Sequence, residues 1–169
     1  MATISFDRTR KMKIYIDTSV IGYLDQHDDP ELMADTHRLW TQIKDGIYDV
    51  VLSDITIAEI DACHDEKRET LYDYLSEIDY DLVEVNERAL EVAARFIDLG
   101  VLREKSFDDC QHIAAAITSE CDVIVSWNFK HIVNHKTIMG VKAVTALEGY
   151  SDVLIYTPTI LIGGEPDDK

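Results

Sequence analysis

Five short runs rich in β-branched and aliphatic residues, "KIYI", "YDVVLSD", "DLVEV", "CDVIVSW" and "VLIY", are separated along the chain by longer segments with helical punctuation. Strands divided by helices pair through crossovers rather than hairpins, and such crossovers give parallel neighbours with a right-handed connection and helices on both sheet faces. The expected architecture is therefore α/β: a central, mostly parallel sheet of about five strands flanked by helices. Several helix limits are legible. In "DDPELMADTHRLWTQIKDG", Asp29 can cap, Pro30 suits the first turn, Leu32, Leu39 and Ile43 mark an apolar face, and Gly46 stops the helix. "ITIAEIDAC" gives a short helical turn and "DEKRETLYDYLSEI" a further helix. Asn86 caps "ERALEVAARFIDL", which ends at Gly100; Ser106 opens "SFDDCQHIAAAITSE"; another helical segment covers 138–148. With 169 residues the chain supports one core. It is read as a single domain over 12–158, with 1–11 and 159–169 as terminal extensions.

Composition narrows the function. The net charge of -17 opposes unspecific attraction to phosphate backbones, so any contact with nucleic acid has to be local. No stretch approaches the ~20 apolar residues of a membrane span, and "MATISFDRTRK" has no apolar core of a secretory signal. Cys63, Cys110 and Cys121 form no CxxC pair and suit buried packing in a reducing compartment. A cytoplasmic protein with no membrane association is expected.

In parallel α/β sheets functional groups gather at the carboxyl ends of the strands, and here those ends carry acids. Asp17 closes the first strand, Glu59 lies just past the second, Asp108 and Asp109 open the helix before the fourth, and Asn128 follows the fourth. Singly, each has an ordinary use: Asp17 as a cap, Glu59 as a solvated charge, Asp109 as the third-position acid of a capping box with Ser106. Together they would repel one another without a cation, and hard oxygen donors select Mg²⁺ or Mn²⁺. Asp109 also stands in a helical first turn, where the dipole favours an ionised carboxylate.

The pieces "IYIDTSV", "LSDITIAEI", "DCQHIAAAI" and "DVIVSWNFKHI" together resemble the PIN domain family, and within it the VapC-like toxins of toxin-antitoxin modules. The resemblance implies a Rossmann-like three-layer PIN fold, an acidic pocket for one or two Mg²⁺ or Mn²⁺ ions, and hydrolysis of RNA phosphodiesters. It places Asp17, Glu59 and Asp109 at the family's acidic positions, with Asp17 and Asp109 as metal ligands and Asp108 as the adjacent alternative. Asn128 fills a fourth position and adds no charge. Thr18 and Ser126 match hydroxyl positions that orient a carboxylate or water. His112 shares Asp109's helix face and is read as a hydrogen-bonded, semi-buried histidine, with a place near the pocket as the alternative. An antitoxin protein and a homodimer are the implied partners beside the RNA substrate.

The expected reaction is metal-assisted, in-line attack by water, which needs no side-chain nucleophile. RNA binding is placed on the segment from Val123 to Leu147, which has no acidic residue although 33 of the 169 residues are acidic. Lys130 and Lys136 form its RNA-facing rim, with His131 and His135 adding conditional charge. Lys142 lies in the same segment. Trp40 and Trp127 read as core or edge aromatics, with no interleaved basic-aromatic pattern for stacking bases. An aspartyl-phosphate phosphotransferase is disfavoured because "DTSV" lacks a second Asp two residues on. A non-catalytic PIN-like binding or assembly module is the alternative reading.

Overall fold

The computed structural model describes residues 10–163; most of the N-terminal extension and the "GEPDDK" end of the tail lie outside them. The strands are β1 (Met12–Ile16), β2 (Tyr48–Ser53), β3 (Asp81–Val83), β4 (Val123–Val125) and β5 (Leu154–Tyr156). They form one sheet in the order β3-β2-β1-β4-β5, with every neighbouring pair parallel. The helices are α1 (Thr18–Tyr23), α2 (Pro30–Lys44), α3 (Asp54–Asp61), α4 (Asp65–Leu75), α5 (Glu87–Asp98), α6 (Phe107–Thr118), α7 (His135–Glu148) and α8 (Pro158–Leu161). The result is the expected three-layer α/β fold.

The alternation of β1 decides what each sheet face touches. Ile14 and Ile16 face one side, with Val50, Leu52, Val123 and Val125, against Val20 and Ile21 of α1 and Leu39 and Trp40 of α2. Tyr15 faces the other side with Val51, Ile124 and Ile155, against Val92 and Phe96 of α5 and Ile113 of α6. Complete burial of each large apolar side chain contributes about 1.5–3 kcal/mol. This double coverage explains why the central strands carry nearly unbroken apolar runs.

The order of the strands positions the site. The chain steps outward from β1 to β2 and β3, then returns to lay β4 on the opposite side of β1. The switch in direction thus falls between the carboxyl ends of β1 and β4, where Ile16 pairs with Val125. Asp17 follows one of these strands and Ser126 and Asn128 follow the other.

Caps expected at Asp29 and Asn86 are made: their side chains accept from the Leu32 and Ala89 N–H groups. Gly46 and Gly100 sit after α2 and α5 with φ of 78° and 70°, a left-handed conformation that favours glycine. Some limits differ. β3 is shorter than "DLVEV" because the Val85 N–H leaves the ladder and donates to Asp54 Oδ1 at 3.1 Å. α7 begins before residue 138, capped by Asn134, whose Oδ1 accepts from the Thr137 N–H at 2.9 Å. Residues just past 158 continue into α8 rather than an extension, with the Thr159 hydroxyl donating to Asp35 at 2.5 Å. One close approach holds α7 in place: a Cβ on Gly140 would stand 2.6 Å from Val101 Cγ1. Gly140→Ala is expected to destabilise the fold by about 1–3 kcal/mol, read as a lower urea midpoint with an unchanged m-value.

Candidate active site

Asp17 is 3% exposed and is held at both oxygens. Oδ1 accepts from the Ser19 hydroxyl at 2.5 Å and, weakly, from the Val20 N–H at 3.4 Å. Oδ2 accepts from the Ser126 hydroxyl at 2.6 Å. The two serines are themselves fixed, because Ser19 Oγ accepts from the Trp127 N–H and Ser126 Oγ from the Asn128 N–H, both at 2.9 Å. Asp17 does cap α1, but its main bonds tie the end of β1 to the segment after β4. Ser126→Ala removes a donor to a buried carboxylate and an acceptor for the Asn128 N–H. It is expected to cost about 1–3 kcal/mol in equilibrium unfolding.

Asp109 reaches the same edge from the first turn of α6. Ser106 makes no side-chain cap bond and its N–H donates to Arg103 O, so the capping box allowed by sequence is absent. Asp109 Oδ1 instead accepts from Asn128 Nδ2 at 3.1 Å. Asn128 Oδ1 accepts from the His131 N–H at 3.0 Å. A backbone N–H can only donate, which fixes the amide's orientation and turns its NH₂ toward Asp109. Asn128 thus aims Asp109.

Glu59, on α3, pairs with His112 Nε2. His112 Nδ1 bonds the Tyr15 hydroxyl at 2.6 Å, and that hydroxyl also meets Ser53 Oγ at 2.7 Å. A buried chain therefore links β2, β1, α6 and α3. His112 is hydrogen-bonded, as read, and at 2% exposed it is buried more deeply than the semi-buried position expected. Glu59 is a partnered group at the rim of the site, not a freely solvated helix charge.

The electrostatics are those of acids crowded in a dry place. Burial raises the Asp17 carboxyl above its ordinary range, against the lowering effect of His112 and the serine hydroxyls. Asp109 is also raised, chiefly by burial and further by the charges of Asp17 and Glu59, with His131 and His112 opposing. Burial alone would depress His112; its bond to Glu59 and the charges of Asp17, Glu59 and Asp109 outweigh that and raise it. The Tyr15 hydroxyl is raised too, mainly by burial.

Asp17 and Asp109 are the carboxylates that could hold a cation. Their oxygens are hard donors, and a positive charge between them would oppose the burial that raises both. Asp109 Oδ2 accepts no hydrogen bond among the described residues. The Thr18 hydroxyl is buried without a partner and lines a cleft with Glu59, leaving a polar atom for water or a ligand. Among the described residues no three His, Cys, Asp or Glu side chains are grouped to hold one ion. This donor set fits a cation of the Mg²⁺ type, which uses one or two carboxylates and keeps several waters.

Not every expected residue joins the constellation. Asp108, one position around the helix, is exposed and faces Gln111 at 3.4 Å. Of the two hydroxyls after Asp17, Ser19 rather than Thr18 is the one that reaches back to the carboxylate. The "DTS" run offered both hydroxyls, and sequence alone does not choose between them. Lys130 and Lys136 line a groove beside the site with His131. Trp40 and Trp127 are buried, as read, donating to Glu77 and Thr36 respectively. The three cysteines are free thiols. Among the described residues no helix is long and apolar enough to cross a membrane.

No protein-family model and no curated protein sequence matches the chain. Solved structures do resemble it. One is a chain in the crystal structure of VapBC2 from Rickettsia felis bound to a DNA fragment from their promoter. It superposes with a TM-score of 0.55 over 86% of this chain and 98% of that chain, at 12% sequence identity. At that identity the likeness concerns the fold, and the fold of this chain is of the kind seen in the VapBC2 assembly.

Proposed function

We propose that the protein is a metal-dependent endoribonuclease of the VapC-like, PIN-domain kind, hydrolysing RNA phosphodiester bonds at the edge where Asp17, Asp109, Glu59 and Asn128 meet. The observation that carries this reading is Asp17. It is buried and raised by its burial, yet held by two serine hydroxyls at the switch point of the sheet. A structural cap requires none of that, and keeping a carboxylate in such a place costs stability that only function repays. Asp17 and Asp109 would hold Mg²⁺ or Mn²⁺. The ion, when bound, supplies a more acidic water and stabilises charge on the phosphate oxygens.

The side chains divide the remaining work. Ser19 and Ser126 keep Asp17 in one orientation, and Asn128 does the same for Asp109. Glu59 has one oxygen against His112, is 39% exposed at its side chain and lines the cleft with Thr18, so its other oxygen would accept a proton from the attacking water. His112, held between Glu59 and Tyr15, fixes that carboxylate and balances the local negative charge.

Attack by water with departure of the 3′ oxygen leaves a 5′-phosphate and a 3′-hydroxyl. Incubation of the protein with tRNA, rRNA and mRNA in Mn²⁺, followed by end analysis, is expected to show those ends. Ends carrying a 2′,3′-cyclic phosphate would contradict attack by water. The fold's likeness to a VapBC2 assembly also supports an antitoxin partner, for which the acidic surface suits a basic segment. A non-catalytic binding module is the second reading, favoured by the uncharged Asn128; absence of cleavage with every RNA would favour it.

A further inference from the structure

A second feature lies next to the acids. Residues 101–106, between α5 and α6, and residues 129–137, between β4 and the first turn of α7, enclose a groove of about 510 Å³. Its wall carries Arg103, Lys105, Lys130 and Lys136 with His131, and no acidic residue lines it. Arg10, Arg38, Arg68, Arg88, Arg95 and Lys142 pair with acids elsewhere, and Lys11 and Lys44, though without an ion pair, line a separate pocket with Asp49, Glu77, Asp79 and Asp81. The four groove cations make no ion pair with any described residue. In a chain of net charge -17, four unpaired cations on one concave face oppose the overall trend. Nearby carboxylates would otherwise be expected to neutralise them.

The groove also has an aromatic floor piece. Phe129 is 53% exposed and lies against Trp127, with ring centroids 6.1 Å apart, while Trp127 in turn packs on Tyr23 at 5.5 Å. An exposed ring backed by a buried, hydrogen-bonded tryptophan is a firm platform rather than a loose side chain. Phe129 directly follows Asn128, which holds Asp109, so the groove begins at the acid site. No basic-aromatic pattern was evident in the sequence because its parts come from two segments more than 20 residues apart.

We propose that this groove is the track for single-stranded RNA flanking the scissile phosphate, with Arg103, Lys105, Lys130 and Lys136 facing its phosphates and Phe129 stacking on one base. The proposal rests on reading the adjacent acids as a ribonuclease site. Cations along a concave wall together with a stacking ring are what a sequence-tolerant single-strand track requires. A duplex would meet the cations but could not offer an unstacked base to Phe129.

The test is binding without turnover. Fluorescence anisotropy of a labelled, unstructured 12-nucleotide RNA is measured in EDTA across a salt series. The proteins are wild type, Arg103→Gln/Lys105→Gln/Lys136→Gln, Phe129→Ala, and Lys44→Gln as a control cation outside both the groove and the acid site. The triple variant is expected to lower the magnitude of the log-log salt slope by roughly 2, at about 0.7 per lost phosphate contact. Phe129→Ala is expected to weaken single-strand binding about 5- to 100-fold with little change in slope, and to leave binding of the matching duplex unaltered. Lys44→Gln should behave as wild type. No detectable RNA binding by wild type, or equal affinity and slope in the groove variants, would overturn the track. So would a polyglutamate peptide that binds the groove more tightly than the RNA, since that outcome assigns it to an acidic protein. Cleavage in Mn²⁺ by a protein whose groove variants bind normally would remove the track alone. Groove-dependent binding without cleavage of any RNA would remove the nuclease reading alone.

Discussion

Asp17→Asn is expected to lower metal-dependent RNA cleavage by more than about 100-fold while raising the melting temperature of the metal-free protein. The first effect follows from losing the charge of a proposed metal ligand, a larger change than the 10–100-fold cost of losing an outer hydrogen bond to such a ligand. The second follows from burial. A carboxyl raised by desolvation binds its proton more tightly folded than unfolded, so at neutral pH the fold is penalised by having to accommodate it. Asparagine removes the penalty and keeps the geometry: its oxygen can take the Ser19 side and its NH₂ can face Ser126 Oγ. About 1 kcal/mol of gain corresponds to roughly 2–4 °C in a domain of this size. Scanning calorimetry in EDTA checks the stability half. A variant both inactive and markedly less stable would make Asp17 a structural cap instead.

His112→Ala is expected to destabilise the protein by about 2–4 kcal/mol, since it opens a cavity and leaves the Tyr15 hydroxyl and Glu59 without their partner. Its pH signature is more informative than its size. His112 is raised in the folded state, so its contribution is fully present below the unfolded value of about 6.5 and is lost as pH rises through the folded value. Asp17 and Asp109 are also raised, so their protonated forms favour the fold. That contribution is full below about 3.9 and is lost as pH rises through their folded values. All three groups act in the same direction. These three groups should therefore make the metal-free wild type less stable as pH rises from about 4, relative to a variant lacking them, and urea unfolding as a function of pH measures this. In His112→Ala the part of the decline that His112 contributes above about pH 6.5 should be lost, while the decline from Asp17 and Asp109 persists. Added Mn²⁺ should reduce the dependence for wild type and have little effect on Asp17→Asn.

The sequence and the structure part company where a contact depends on side-chain direction across distant elements. The parallel sheet was legible because "KIYI" and "VIVSW" carry apolar residues on both faces, which only a strand covered on both sides requires. Asp17, Glu59, Asp109 and Asn128 were legible because parallel topology places the residues after the strands on one edge. Helix α1 was not, since six residues beginning "TSVIGY" carry too little periodicity to distinguish a short helix from a turn. The choice of Ser19 over Thr18 depends on which hydroxyl reaches back to the cap. The burial of His112 depends on Tyr15 meeting it from the opposite layer. The groove is the clearest case: Arg103 and Lys105 follow α5, Phe129 and Lys130 follow β4, and only the fold makes them neighbours.

Asp17 and Asp109 are proposed to form a metal-dependent hydrolytic site. The most direct measurement is a cleavage time course of purified wild-type protein on RNA with Mn²⁺ and with excess EDTA. Cleavage is expected with Mn²⁺ and none in EDTA. RNA left intact with Mn²⁺, or cleaved equally in EDTA, would contradict it.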